Sequence, residues 1–328
     1  MCAKFYRFIA TIFFITLCVS PSAKASQQST EKLRIIIASG VRLRTAPTSA
    51  ASEVARLGLG AVVKELNQSI NKERVGDTEE HWYEVTAPDG KQGWVFGAFA
   101  PVFDTSTRAE LYRKIASERL KIENATFAEW SDFEKFLSKA ITEIKQTDLL
   151  AELELARLIA TRRALESIPS DRQQETIYQN WIKAREKILV YSEPAGQWLV
   201  RNDLFWDLQK KYSALTVAEQ IAWAAASNIL PGECEGYIPC HLYAFNQTEG
   251  RYLKLYPRGP HVNEAVDNLA DMLEGFVREI KTAAPPDATD RTEAQKELRE
   301  LRAVVTKTAA QKKAVVLRQL DALDKHYR

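Results

Sequence analysis

The sequence predicts an α+β chain, with a small β-barrel first and a mainly α-helical domain after it. Three observations carry this expectation. Residues 33–103 hold five or six short strand-like runs divided by Gly-, Pro- and Asp-Gly-containing turns, the density of a small barrel. From Thr105 onward those signals stop, and apolar residues recur at helical spacing. At 328 residues, 45% hydrophobic and 27% charged, the chain is long and apolar enough for about two domains with buried cores. The same composition excludes a disordered protein, a collagen and a small disulfide scaffold. Lys and Arg total 45 against 43 Asp and Glu, a net charge of +2, which supplies no long-range field for nucleic acid.

The first segment, residues 1–25, reads as an address. Lys4 and Arg7 form a positive start, Phe8 to Val19 is a short apolar run, and Ala23-Lys24-Ala25 places small residues where a signal peptidase reads them. This is the pattern of a secretory signal peptide cut after Ala25. The apolar run is shorter than the ~20 residues of a spanning helix. An uncleaved anchor is one alternative. A lipoprotein through Cys18 is another, although Leu17 replaces the small residue that would precede the cysteine. The leader predicts export to the periplasm or the outside, and because no later stretch is long and apolar enough to span a membrane, the mature chain is expected to be soluble there.

Cysteine usage agrees with export. After cleavage only Cys234 and Cys240 remain, in Gly232-Glu233-Cys234-Glu235-Gly236-Tyr237-Ile238-Pro239-Cys240. In an oxidising compartment an even pair defaults to a disulfide.

Within the expected barrel, Leu33 to Ala38 is apolar and β-branched, and Val41-Arg42-Leu43-Arg44 alternates before Pro47. Val54 to Leu57 and Ala61 to Leu66 follow, separated by Gly58 and Gly60. His81 to Ala87 carries Trp82, Tyr83 and Val85, and the Pro88-Asp89-Gly90 turn leads into Gly93-Trp94-Val95-Phe96 at hairpin distance. The polar stretch Asn67 to Glu80 is expected to be an exposed loop. Period-two alternation assigns Tyr83 and Val85 to the core. The opposite face then holds Trp82, Trp94 and Phe96 as candidates for a ligand groove, with Arg44 at its edge. The competing reading is that these aromatics pack within the barrel or under a neighbouring domain. Residues 31–103 carry nine Lys and Arg against nine Asp and Glu, so charge favours neither sign of ligand.

This segment resembles the bacterial SH3-like domain family. The resemblance rests on Val41-Arg42-Leu43-Arg44 with Pro47, Gly60 before an apolar strand, Trp82-Tyr83-Glu84-Val85, the Asp89-Gly90 turn, Gly93-Trp94-Val95 and the closing Phe99-Ala100-Pro101-Val102. Two departures are the 67–80 insertion and Arg42, where the family frequently has Asn. The resemblance implies an SH3-like barrel acting as a binding module, of the kind found in exported proteins that meet the cell wall or its peptides.

The remainder, 105–283, is expected to be helical, with 284–328 a linker and a C-terminal helix. Helical spacing is expected over Ala109–Ile122, around Phe127, Trp130, Phe133 and Phe136, and over Asp148–Ser167, Asp171–Tyr191, Asp203–Tyr212 and Val217–Ile229. Pro231-Gly232 then breaks the run. His241–Tyr256 reads as two helical pieces with a turn near Gly250, and Val262–Ile280 as an amphipathic helix. Tyr252-Leu253-Lys254-Leu255-Tyr256-Pro257 resembles the turn of periplasmic tetratricopeptide-like repeats, in a single copy with no ~34-residue period. Thr292–His326 is expected to be one long helix. Its stripes Leu298/Leu301/Val305 and Val316/Leu320/Leu323 are out of phase, with Thr308 and Lys312 on the seam, which argues against a continuous coiled coil. From Arg291 to Arg328 there are ten Lys and Arg against five Asp and Glu.

No catalytic residue is assigned. Cys234 lacks the surroundings of a thiolate nucleophile, and a disulfide would disable it. Cys234, Cys240, His241 and His261 are too loosely spaced for a structural zinc site, so no metal and no cofactor are expected. There is no phosphate-binding glycine loop and no nucleophile elbow. The sequence therefore predicts an exported, non-catalytic envelope protein, partnered by a cell-wall peptide or an envelope protein. The alternatives are a divergent peptidoglycan hydrolase working through Glu233 or Glu235, and a purely structural interaction protein.

Overall fold

The computed structural model describes Met1 and residues 31–328. The leader reading, with Cys18 and cleavage after Ala25, lies outside the described residues. The first half of the α+β expectation is met by a curled six-stranded antiparallel sheet. Its strands are β1 (Leu33–Ile35), β2 (Val41–Arg44), β3 (Glu53–Leu57), β4 (Val62–Val75), β5 (Thr78–Thr86) and β6 (Gln92–Phe96), in the spatial order β1-β4-β5-β6-β2-β3. Alternation sends Ile36, Val41, Leu43, Val63, Tyr83, Val85 and Val95 into one small core. Segment 99–103 runs back along β1, where Ile35 N–H donates to Pro101 O and Phe103 N–H to Leu33 O.

The 67–80 insertion is not a loop. It is the outer half of a long β4–β5 hairpin, with Arg74 opposite Glu79 and Val75 opposite Thr78. Gly76, at φ +60°, and Asp77 form its tip, and glycine at the first position of a two-residue turn matches the strand twist. Its polar composition reflects strands largely exposed to water, with only Ser69, Glu73, Val75 and Glu80 part-buried.

Eleven helices follow among the described residues: α1 (Arg108–Leu120), α2 (Phe127–Glu143), α3 (Thr147–Glu166), α4 (Thr176–Lys183), α5 (Asn202–Lys211), α6 (Ala218–Ala226), α7 (Ile238–Gln247), α8 (Glu249–Leu255), α9 (Val262–Glu279), α10 (Ala288–Lys307) and α11 (Lys313–His326). α2 starts on a capping box: Thr126 Oγ1 accepts from Glu129 N–H, and Thr126 N–H donates to Glu129 Oε2 at 2.9 Å. Its apolar stripe, Trp130, Phe133, Phe136 and Leu137, is buried.

Two helical expectations are corrected. Asp171–Tyr191 is helical only over α4 and short single turns. It ends in β7 (Leu189–Ser192), which pairs with β8 (Gln197–Val200) as an antiparallel hairpin. Val190-Tyr191 and Trp198-Leu199-Val200 are strand formers around Glu193-Pro194-Ala195-Gly196, and the tertiary setting selects that preference. Thr292–His326 is not one helix. The chain turns at Thr308–Lys312, and α11 folds back on α10, with Arg302 paired to Asp321 and Gln295 Nε2 donating to Tyr327 O at 2.8 Å. The phase break in the apolar stripes is this corner. Both stripes are buried in the same core as α9.

The sheet and the helices pack together, and Lys32 to Arg328 forms one unit. Ile35, Leu59 and Phe103 belong to the helical core rather than to that of the barrel. The connection Gly58-Leu59-Gly60 sits on α2, where Leu59 N–H donates to Asp132 Oδ2 at 2.8 Å and a Cβ on Gly60 would stand 2.3 Å from the Phe136 ring.

Candidate ligand-binding face

The outer face of the barrel sheet is built by register. β5 and β6 place Trp82 opposite Phe96 and Glu84 opposite Trp94, and β2 places Arg44 opposite Trp94 on the other side. The three aromatics therefore share one face, as the alternation predicts, with Tyr83 and Val85 on the other. Arg34 stacks on the core-facing Tyr83, its guanidinium carbon 3.2 Å from the ring centroid, and is held by Glu65 Oε2 at 2.6 Å and Ala100 O at 2.5 Å.

The expected groove is not open along its length. Trp82 and Phe96 are each only 3% exposed. Their rings lie 5.3 Å apart, and Phe96 meets Phe99 edge-on at 6.1 Å. The cover comes from the outer half of the β4–β5 hairpin and the β2–β3 connection. Glu73 binds both: its carboxylate accepts from Trp82 Nε1 at 2.7 Å, from Ser49 N–H at 3.0 Å and from Ser49 Oγ at 2.6 Å. The Ser49 hydroxyl, foremost among these donors, holds the Glu73 carboxyl below its ordinary range. Opposite Trp82 the β4 ladder bulges, because Gln68 pairs with Tyr83 and Lys72 with His81. Ser69 there takes the Trp82 N–H on its Oγ at 2.9 Å, and Ile70 stands 94% exposed.

Of the three candidate aromatics, Trp94 stays partly accessible, half-buried between Arg44 and Glu84. Arg44 is oriented by donation from its Nη1 to Ala51 O at 2.5 Å. An aromatic surface flanked by one cation and one carboxylate suits a peptide-like ligand with both apolar and polar groups. The alternation located this face, but Glu73 and Ser49 were missed. They lie in stretches whose polar composition reads as loop.

The cysteine pair is closed, with Cys234 and Cys240 joined at an S–S distance of 2.04 Å. Glu233 and Glu235, the carboxylates of the hydrolase alternative, are both exposed on this loop. His261 lies apart from them, stacked on Trp223 at 4.3 Å and hydrogen-bonded to Glu264. Among the described residues, no group of three or more His, Cys, Asp and Glu is arranged to hold a metal ion, and no helix is long and apolar enough to cross a membrane.

Compared with known proteins, residues 39–100 match the bacterial SH3 domain family. No curated protein and no solved structure matches the chain.

Proposed function

We propose that this is an exported, non-catalytic envelope protein whose SH3 module holds a peptide or cell-wall fragment on the Trp94 face, while its helices form a scaffold for an envelope partner. The observation that carries the reading is the family match over 39–100, combined with a partly buried Trp94 set between Arg44 and Glu84. Export is supported by the leader-like composition of residues 1–25 and by the Cys234–Cys240 disulfide.

The test is sedimentation of residues 26–328 with purified peptidoglycan, with the supernatant assayed for released muropeptides. Trp94→Ala removes the accessible aromatic and weakens binding about thirtyfold, the ~2 kcal/mol of an interface hot spot. Circular dichroism of that variant stays native. Release of muropeptides overturns the non-catalytic reading. Undiminished binding by Trp94→Ala overturns the assignment of the face, and absence of binding by the wild type moves the module to a protein partner.

A further inference from the structure

A cleft lies in the helical part, lined by no residue of the SH3 module. Helices α6, α7, α8 and α9 and the disulfide loop enclose a cleft of about 640 Å³, within the ~300–1,000 Å³ of small-ligand sites. Its walls are largely apolar, with Leu230, Phe245 and Met272 among them. Ile229 and Tyr243, 57% and 50% exposed, carry that apolar surface outward. The Cys234–Cys240 disulfide forms part of one wall.

The charge in this cleft is one-sided. Glu233 and Glu249 line it together with the imidazole of His241, which packs against Phe276, and no Lys or Arg does. Glu249 is half-buried. Its Oε1 accepts from Asn268 Nδ2 at 2.7 Å, and no cation among the described residues compensates it. Burial pushes its carboxyl above the ordinary range, and the neighbouring Glu264 charge adds to this. A carboxylate withdrawn from water without a counter-ion is a standing cost, which a cation arriving with a ligand relieves. An anionic ligand would add to the repulsion instead.

The geometry points to a binding site for an aliphatic amine, with its alkyl stem against Leu230, Phe245 and Met272 and its ammonium on Glu249. The shared chemistry is an alkylammonium group, whether carried by a free amine or by a lysine-type side chain.

Isothermal titration of the full chain with hexylamine, hexanol and hexanoate tests this directly. Hexylamine is expected to bind at least tenfold more tightly than hexanol, with hexanoate weakest. Glu249→Gln, which keeps the shape and the acceptor for Asn268, is expected to bring hexylamine down to the level of hexanol. Titrating Nα-acetyl-lysine amide beside hexylamine separates the two sources. Binding of the lysine derivative at least as tight assigns the site to a peptide side chain, and weaker binding assigns it to a free amine. Equal binding of hexylamine and hexanoate overturns the proposal, as does an unaltered hexylamine affinity in Glu249→Gln or no hexylamine binding by the folded wild type. If Glu249→Gln fails to fold, the order of the three probes on the wild type decides.

Discussion

Substituting Gly60 by alanine probes whether the SH3 module and the helices stand or fall together. Gly60 has φ +75°, and an L-residue in the left-handed region costs roughly 1–2 kcal/mol. The added Cβ would also lie 2.3 Å from Phe136 Cδ2, where contact between carbons is comfortable at ~3.5–4.0 Å. Phe136 must therefore retreat by more than ~1 Å. It is buried, with Tyr112 edge-on at 5.2 Å and Phe133 stacked at 6.4 Å, so the retreat disturbs the α2 core and adds the ~1–3 kcal/mol of overpacking. Gly60→Ala is thus expected to lose ~2–5 kcal/mol in total. Gly76→Ala is the matched control: its φ is +60°, but no atom lies within 4 Å of the new Cβ, so it loses only the ~1–2 kcal/mol of backbone strain. Urea unfolding followed by tryptophan fluorescence and by far-UV circular dichroism measures both variants. The two probes should coincide, with Gly60→Ala the less stable variant by ~1–3 kcal/mol. Equal losses would refute the reasoning. So would a separate early transition of the sheet in Gly60→Ala that leaves the helices at the wild-type midpoint.

Two further outcomes follow from the ion pairs and the disulfide. Burial alone would raise the Glu65 carboxyl, but hydrogen bonds and charge from Lys32 and Arg34 outweigh it and hold it below its ordinary value. A depressed folded pKa gives stability that is fully present above the unfolded value of ~4.3 and is lost as pH falls through the folded one. Glu65→Gln is therefore expected to cost ~1.5–3 kcal/mol at pH 7, with the gap to wild type closing below pH ~4. Unfolding curves that stay parallel down to pH ~3 would contradict it. Replacing Cys234 and Cys240 by serine opens a seven-residue ring and is expected to cost about 2 kcal/mol on the chain-entropy account. Comparing its unfolding midpoint with that of the wild type under oxidising and reducing conditions checks it: the wild type should approach the variant only when reduced.

The parts of the fold legible in the sequence are those where local pattern and tertiary role agree. Val41-Arg42-Leu43-Arg44 alternates because one side of β2 is core and the other water, and it is a strand. The α2 stripe repeats at helical spacing because α2 packs on α3. The misreadings fall where the pattern is ambiguous. Leu189-Val190-Tyr191 is apolar enough to extend a preceding helix and β-branched enough to begin a hairpin, and only pairing with Trp198-Leu199-Val200 decides it. In the 292–326 segment, phase exposed the break but could not say that the chain would reverse there. The reversal depends on Leu320 and Leu323 finding the α9 surface, a contact distant in sequence.

The candidate site shows the same limit on a smaller scale. Alternation along β5 and β6 gives the face of a side chain, and Trp82, Trp94 and Phe96 do share one. It does not give what lies above that face. Glu73 and Ser49, 24 residues apart, meet over Trp82 because the hairpin is long enough to carry Glu73 to the β2–β3 connection. A single hydrogen bond then satisfies the indole N–H that burial would otherwise leave unpaired. Trp94 lies two residues before Phe96 on the same face of β6, but beside Arg44 and Glu84 rather than under Glu73, and it is only partly buried. Of three aromatics with one orientation, Trp82 therefore ties the insertion down through Glu73, Phe96 packs between Trp82 and Phe99, and Trp94 keeps the accessible edge that the proposed function uses. The insertion that distinguishes this module thereby covers the Trp82 part of the face and leaves Trp94 partly open.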